Sequence, residues 1–419
     1  MKQTATDREK FFWNMMGSLA NALSSIVLSV SVNRILGGES GGVFALAYSN
    51  AQLMLTIGQF EVRQYQGTDV TEKYSFWTYR KLRVLTCMLM MAATLGYVLW
   101  NRNAFTREQS TVIFLLSAFK MVEGYMDVYG GRFQQENRID LSGKIFFIRV
   151  TVSTALFIAA LLMTGNLTVS SAMLFAASAS LFFLYDRKYT LPRKKAQGTG
   201  SAKDVAGLAR DVLPLFLQAF CLMYINNAPK YAISHACSQE IQNIYNILFM
   251  PTFAINLFGL FIFRPMMLQI ANTWSLGKFR EFGKRVAVIF GLILTVTVFA
   301  LIGTWLLGIP ILSALYGVDL EAYRGDLVIA MAAGGVNALC TFLYYVIIAI
   351  RSHKLLPVGY GCAFLFSAAA AGPFVGRWGI QGGILNYLCS VTVLAGAYLL
   401  IFCAALGKRK TEKKMSSGE

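Results

Sequence analysis

The chain reads VAVIFGLILTVTVFALIGTWLLG at residues 286–308, a run of 23 residues without a charged side chain that directly follows Lys284 and Arg285. A helix needs roughly 20 consecutive apolar residues to cross the hydrocarbon core of a bilayer. The run therefore predicts a membrane-spanning helix. The whole chain of 419 residues is 56% hydrophobic and 14% charged, which is outside the usual range of soluble domains.

Apolar runs of similar length recur along the whole sequence. The twelve predicted spans lie near residues 10–36, 41–60, 83–100, 110–130, 145–164, 168–186, 211–233, 241–263, 286–308, 326–350, 355–375 and 382–406. We therefore predict an all-α integral membrane protein with twelve transmembrane helices.

Lysine and arginine residues are unevenly distributed between the predicted connections. Of the 38 lysines and arginines, 31 lie on every second connection, and these connections are all on the same side of the membrane. Lys120 is an exception that lies inside a span. The positive-inside rule makes this side cytoplasmic, and both termini lie on it. The net charge of +17 then describes a basic rim beside anionic membrane lipids, and it indicates no nucleic acid partner.

A basic stretch followed by Gly and Ser residues separates two sets of six spans. We predict an N-terminal lobe at 1–186, a cytoplasmic linker at 187–210, a C-terminal lobe at 211–406 and a basic cytoplasmic tail at 407–419. The composition of the linker is typical of a flexible hinge. The connections leave no room for a separate soluble catalytic domain, which excludes many classes of enzyme. Because they show no phosphate-binding loop, we expect no ATP hydrolysis, and we expect no cofactor.

Ionisable residues inside the predicted spans are the first candidates for function. Span four carries Lys120, Glu123 and Asp127 at positions i, i+3 and i+7, which share one helical face. Each ionised group at the bilayer centre costs roughly 2.5–3.5 kcal/mol, so each needs a partner, water or a ligand. Two interpretations stay open: an ion pair between Lys120 and Glu123 that fixes helix packing, or a cavity wall that binds substrate or a coupling ion.

Polar residues elsewhere in the spans also have two interpretations. Span one carries a stripe of small polar residues on one face, namely Asn14, Ser18, Asn21, Ser25, Ser29 and Asn33. Such a stripe either packs against another helix or lines a hydrated cavity. Near span ends lie Arg34, Arg63, Arg149, Asn227, Lys230 and Arg264. Each of the five cations among them either anchors its helix at the interface or binds an anion.

Metal binding and catalysis have no candidate residues in the sequence. His235 and His353 are isolated, and the seven cysteines show no ligand spacing. No nucleophile, base and orienting acid form a recognisable set. We therefore predict neither a metal site nor catalytic residues.

Four short segments resemble a known family. They are NRILGGESGGVFA at 33–45, YQGTD at 65–69, NAPKYAI at 227–233 and WGIQGG at 378–383. The first resembles the junction between spans one and two of the polysaccharide transporter family. The others are similar to segments of the branch that includes the O-antigen and teichoic acid flippases. That family belongs to the multidrug, oligosaccharidyl-lipid and polysaccharide exporter superfamily.

The resemblance implies both a fold and a function. The fold is two parallel six-helix lobes, V-shaped around a central cavity. The function is movement of a polyprenyl-diphosphate-linked oligosaccharide or teichoic acid precursor to the outer leaflet of a bacterial cytoplasmic membrane by alternating access. The lipid-linked glycan and membrane lipids are the expected partners, with H+ or Na+ as candidate coupling ions and glycan-assembly enzymes as candidate contacts.

A diphosphate requires cationic partners, which selects the expected site residues. The substrate-binding candidates are Arg34, Lys120, Arg149, Lys230 and Arg264, together with Asn21 and Asn227. The ion-coupling candidates are Glu123 and Asp127. Two alternatives stay open. A cation-coupled multidrug extruder of the same superfamily should have an acidic cavity, and a membrane glycan polymerase or ligase should have a large outer loop.

Overall fold

The structure is a computed structural model that describes residues 6–69, 73–189, 200–252, 270, 273–274, 276–350 and 355–416. In this part of the chain the regular structure is helical, without a strand. Its α-helices are α1 (Asp7–Leu36), α2 (Gly38–Gln59), α3 (Val62–Thr68), α4 (Phe76–Trp100), α5 (Arg107–Gln135), α6 (Ile139–Thr164), α7 (Leu167–Tyr189), α8 (Ala202–Ala236), α9 (Gln239–Phe249), α10 (Phe279–Gly303), α11 (Ile309–Tyr316), α12 (Arg324–Ala349) and α13 (Leu356–Ser416). A π-helical segment, Thr304–Gly308, joins α10 to α11.

Eight helical stretches of the described chain are long and apolar enough to cross a membrane. The predicted spans 355–375 and 382–406 lie together in one of these stretches, Leu356–Leu406. The predicted spans 41–60 and 110–130 correspond to α2 and α5, which are not among the eight. The predicted span 241–263 is described only as far as residue 252. The eight stretches therefore account for nine of the twelve predicted spans.

The chain divides into two compact units, Met1–Met223 and Tyr224–Glu419. We call them unit 1 and unit 2. Unit 1 contains α1 to α7 and the first part of α8, and unit 2 contains the rest. Within the predicted linker, α7 continues to Tyr189 and α8 begins at Ala202, while 190–199 lie outside the described residues. The predicted lobe and linker bounds stay a prediction.

Helix α5 lies at the centre of unit 1. It packs against α2, α3, α4, α6 and α7, and α1 packs along α6. The α1–α6 contact depends on two small residues: a Cβ at Gly17 would lie 2.9 Å from the carbonyl oxygen of Gly143, and a Cβ at Gly143 would clash with the backbone of Trp13 and Asn14. Glycine therefore allows the two backbones to approach closely, as small residues do between membrane helices.

The beginning of α8 is fixed to the rest of unit 1 through Asp211. Its carboxylate oxygen Oδ2 accepts hydrogen bonds from Lys73 Nζ at 2.8 Å, Tyr74 OH at 2.9 Å and Tyr65 OH at 3.1 Å. The hydrogen bond to Asp211 raises the pKa of Lys73 above its ordinary value. Beside this group lies an apolar cluster made of Val62, Tyr79, Leu82, Val128, Val205, Leu208 and Val212. The first turns of α8 are therefore held by both polar and apolar contacts.

In unit 2, the long helical stretch α13 is broken at Gly379. This residue has φ 54° and ψ −129°, a conformation that side-chain-bearing residues rarely adopt. Across the break, Asn386 Nδ2 donates a hydrogen bond of 3.3 Å to the carbonyl oxygen of Ser367. The two limbs of α13 therefore contact each other, as expected for two successive spans.

We predict that Gly143→Ala destabilises the protein whereas Gly96→Ala does not. The added methyl group at residue 143 meets the α1 backbone, and nothing lies within 4 Å of a Cβ at residue 96. Overpacking costs about 1–3 kcal/mol, while alanine in an open helical position is favourable by roughly 1 kcal/mol. Thermal unfolding in detergent should show a lower Tm for the first variant and an equal or higher Tm for the second. Equal Tm values for both variants would contradict the close α1–α6 contact.

Candidate functional site

Lys120 and Glu123 form a buried ion pair on α5. Lys120 Nζ lies 3.0 Å from Glu123 Oε2, and their side chains are 1% and 9% exposed. The Lys120 ammonium group also lies 5.1 Å from the centroid of the Tyr48 ring on α2. Such a cation–π contact adds to the stability of a desolvated cation. The structure therefore contains the internal ion pair between Lys120 and Glu123 that was one of the two interpretations of this face.

Glu123 is shared with a second cation, Arg149 on α6. Arg149 Nη2 lies 3.3 Å from the same Oε2 atom, and Arg149 Nη1 donates a hydrogen bond of 2.9 Å to Ser178 Oγ on α7. The Arg149 side chain is fully buried. One carboxylate therefore compensates two buried cations and connects α5, α6 and α7.

Asp127, one turn further along α5, is also shared by two cations. Its Oδ1 atom lies 3.0 Å from Arg63 Nη1 on α3, and its Oδ2 atom lies 3.1 Å from Arg83 Nη2 on α4. Arg83 Nη1 also donates a hydrogen bond of 2.7 Å to the carbonyl oxygen of Gly58. Arg83 is fully buried, whereas the Arg63 side chain is 38% exposed. The two arginines therefore differ in their access to solvent.

A cavity of about 290 Å³ opens beside these groups within unit 1. Its charged lining residues are Arg63, Glu123 and Asp127. Its polar and aromatic lining residues are Asn14, Ser18, Asn21, Gln59, Ser142, Tyr129, Phe133, Phe146, Phe182 and Tyr185. The polar stripe of span one therefore contributes to the wall of a cavity along Asn14, Ser18 and Asn21. We call this feature the unit 1 cavity.

The charges around the unit 1 cavity do not cancel. The cations Arg63, Arg83, Lys120 and Arg149 surround the two carboxylates of Glu123 and Asp127. An additional carboxyl group, Glu61, interacts electrostatically with Asp127 and Arg83, and its pKa is raised by burial and by the charge of Asp127. Ionised Glu61 reduces the excess from two positive charges to one. The cluster is therefore cationic with Glu61 in either state.

The other predicted site residues lie elsewhere. Arg34 is exposed at the C-terminal end of α1, 13 residues beyond Asn21 and therefore about 20 Å further along the helix axis. Asn227 and Lys230 are buried in unit 2, where the Lys230 ammonium group lies 5.1 Å from the Phe249 ring centroid. Arg264 lies outside the described residues. Of the predicted set, the structure brings together Lys120, Glu123, Asp127, Arg149 and Asn21.

Arg63 and Arg83 belong to this cluster, although they were not among the predicted site residues. The sequence leaves two interpretations open for Arg63, and it places Arg83 at the cytoplasmic end of the predicted span 83–100. The structure begins α4 at Phe76, with Ser75 as its N-cap accepting a hydrogen bond from Thr78 N, which places Arg83 two turns inside the helix. Ser75 is the signal that could have revealed this, because serine is a preferred N-cap residue. Among the described residues, no group of three or more potential metal ligands occurs.

Comparisons with known proteins show the fold. No protein-family model and no curated protein matches the chain. An inward-facing multidrug resistance MATE family transporter of the MOP superfamily is 12% identical, with a TM-score of 0.64 over 97% of this chain and 100% of that chain. An outward-facing structure of such a transporter is 12% identical, with a TM-score of 0.58 over 96% of each chain.

A third similar structure is a MOP superfamily transporter from Pyrococcus furiosus, described by the reverse polarity of its binding pocket. It is 12% identical, with a TM-score of 0.56 over 95% of this chain and 94% of that chain. The MATE-like fold has twelve transmembrane helices in two lobes. The predicted class, an all-α membrane protein with transmembrane helices in two lobes, is therefore confirmed, and the chain is a multi-pass membrane protein with a MATE-like fold.

We predict that Glu123→Gln lowers stability more than Lys120→Met. The first change leaves Lys120 and Arg149 buried without a shared carboxylate, a type of loss that costs about 3–5 kcal/mol. The second change leaves Glu123 paired with Arg149. Thermal unfolding in detergent gives the order of Tm values, and the exposed pair Glu281–Arg285 provides the control variant Glu281→Gln, for which little change is expected. A lower Tm for Lys120→Met than for Glu123→Gln would contradict the shared carboxylate.

Proposed function

We propose that this chain is a flippase for a polyprenyl-diphosphate-linked oligosaccharide or teichoic acid precursor. It moves this substrate from the inner to the outer leaflet of a bacterial cytoplasmic membrane, with both termini in the cytoplasm. Alternating access is supported by the fold, since similar transporters occur in inward-facing and outward-facing conformations. The resemblance of the segments at 33–45, 65–69, 227–233 and 378–383 supports the choice of substrate class.

The observation that carries the proposal is the positive excess around the unit 1 cavity. Four cations surround two carboxylates there, and a low-dielectric environment strengthens the attraction of such a cluster for an anion. A diphosphate carries the complementary charge, and arginine forms paired hydrogen bonds with phosphate oxygens. The positive excess of this cluster disfavours a cationic drug, even though two of the three charged side chains that line the cavity are the carboxylates of Glu123 and Asp127.

The remaining lining of the unit 1 cavity suits a sugar. Asn14, Asn21 and Gln59 supply amide groups, which donate and accept hydrogen bonds. Tyr129 and Phe182 supply apolar ring faces, and their ring centroids lie 6.4 Å apart. Amide and aromatic side chains together match the polar edges and apolar faces of a sugar ring. This combination supports a glycan carried next to the diphosphate.

A second candidate function is a cation-coupled multidrug extruder. Similar structures are described as multidrug resistance transporters, and the cavity does contain the carboxylates of Glu123 and Asp127. Each carboxylate already contacts two cations, which reduces its availability to a cationic drug. The charge balance therefore favours the flippase.

The proposed roles of the predicted residues follow from their contacts. Lys120 and Arg149 supply positive potential to the cavity while paired with Glu123. Asn21 contacts the glycan from the cavity wall. Arg34, Asn227, Lys230 and Arg264 remain proposed substrate contacts at other positions along the transport path. Glu123 and Asp127 remain the proposed ion-coupling carboxylates, with H+ or Na+ as the ion.

A proteoliposome assay with a fluorescent polyprenyl-diphosphate-linked oligosaccharide tests the proposal. We expect the protein to move the substrate between leaflets faster than protein-free liposomes do, and faster than it moves a neutral polyprenyl-linked sugar. Ethidium efflux driven by a proton or Na+ gradient is measured in the same preparation. Efflux of ethidium without movement of the lipid-linked glycan would establish the drug extruder instead, and polymerisation of the glycan would establish an enzyme.

A further inference from the structure

A left-handed turn joins α2 to α3 just before Arg63. Phe60 has φ 45° and Glu61 has φ 53°, and both residues are in the left-handed conformation. Two successive non-glycine residues in this conformation are unusual, because their Cβ atoms crowd the backbone. Strained backbone of this kind is concentrated at functional sites, where the surrounding structure maintains it. After this turn the short helix α3 packs against α5, and Arg63 lines the unit 1 cavity.

The surface of α5 beneath Arg63 is shaped to receive its guanidinium group. A Cβ at Gly130 would lie 3.2 Å from Arg63 Cζ and 3.3 Å from Arg63 Nη1. The same Cβ would lie 3.1 Å from Ser142 Oγ on α6. One helical turn along α3, buried Gln66 lies against Gly131 in the same way. The glycine pair of α5 therefore leaves room for the two polar side chains of α3.

Asp127 is held by two arginines that differ in their freedom to move. Arg83 is fully buried and is bonded to both Asp127 and the carbonyl oxygen of Gly58. Arg63 is 38% exposed and lines the cavity. A partly exposed ion pair is weak because solvent screens it. Arg63 can therefore leave Asp127 at small cost, and Asp127 then stays neutralised by Arg83.

We infer that Arg63 is the side chain of the unit 1 cavity that binds the phosphate oxygens of the substrate, and that Asp127 is the internal carboxylate it exchanges for them. This inference rests on the proposed function and adds to it a residue that determines specificity for anions. Arg63 presents a planar set of N–H donors, which suits a diphosphate. The exchange leaves no buried charge without a partner, since Arg83 keeps Asp127 and the phosphate takes Arg63.

Binding of inorganic pyrophosphate to the purified full chain in a neutral detergent, measured by calorimetry, tests the inference. Wild-type protein should bind pyrophosphate, and Arg63→Gln should weaken the affinity by roughly tenfold or more, as expected for loss of a charge-assisted contact. Arg63→Lys should recover part of the affinity, because lysine keeps the charge but not the planar donor set. The control is Arg285→Gln, which removes one charge from a partly exposed pair in unit 2 and should leave the affinity unchanged.

Asp127→Asn distinguishes exchange from simple attraction. Removing the internal competitor should make pyrophosphate bind several-fold more tightly, and Arg63→Gln combined with Asp127→Asn should bind as weakly as Arg63→Gln alone. Because Asp127→Asn leaves buried Arg83 with less compensation, its Tm is measured alongside. Gly130→Ala provides a variant without a change in charge: it should weaken binding by displacing the guanidinium group, whereas Gly96→Ala should not.

Each result supports or overturns the inference. Wild-type affinity in Arg63→Gln, or weaker binding in a folded Asp127→Asn protein, would overturn it. Polyprenyl diphosphate in neutral detergent micelles is titrated in a second series, and phosphatidylglycerol in a third, to separate the substrate group from an ordinary anionic headgroup. Equal dependence on Arg63 for phosphatidylglycerol would assign the site to membrane lipid and overturn its specificity for the substrate. If pyrophosphate binds through Arg63 but the protein does not move the lipid-linked glycan, the proposed function is refuted and the anion-binding role of Arg63 is not.

Discussion

The neutralisation of buried positive charge by two carboxylates on α5 is the constraint on which unit 1 depends. A charge removed from water is expensive unless a counterion and hydrogen bonds replace its hydration. Glu123 meets this need for Lys120 and Arg149, and Asp127 meets it for Arg63 and Arg83. These contacts bring α3, α4 and α6 onto one face of α5. Charge compensation therefore contributes directly to the packing of these helices on α5.

The two interpretations of the charged face of α5 are compatible, because one carboxylate takes part in both. Glu123 belongs to the buried ion pair with Lys120 and also lines the unit 1 cavity. The charges of a structural ion pair normally sum to zero, whereas this cluster has an excess of positive charge. Replacing a buried pair with apolar residues is often neutral or favourable for stability, so stability alone does not explain four cations beside two carboxylates. The proposed anionic substrate would supply the negative charge that this cluster lacks.

Periodicity predicted the helices and the shared face of α5, and it located Lys120, Glu123 and Asp127 within one cluster. Local sequence does not pair them with Arg83, because the predicted span begins at Arg83 itself, whereas α4 begins at Phe76 after its N-cap Ser75. Nor could it predict the position of Arg63, which depends on the left-handed turn at Phe60 and Glu61. Neither residue is a glycine, so composition gave no sign of that turn. Hydropathy also underrates α5, whose charges are compensated only in the folded unit.

The two carboxylates differ in how well each could serve the proposed coupling of transport to H+ or Na+. Glu123 lies between two fully or nearly fully buried cations, so neutralising Glu123 leaves both of them without their carboxylate. Asp127 lies between buried Arg83 and half-exposed Arg63, so only its contact with Arg63 can open cheaply. A coupling ion acting at Asp127 would weaken that contact and release Arg63 toward the substrate, whereas the same ion at Glu123 would disrupt the packing of α5, α6 and α7. If transport is driven by H+ or Na+, Asp127 is therefore the carboxylate whose neutralisation costs less, because Arg83 keeps its hydrogen bond to the carbonyl oxygen of Gly58 and Arg63 reaches solvent.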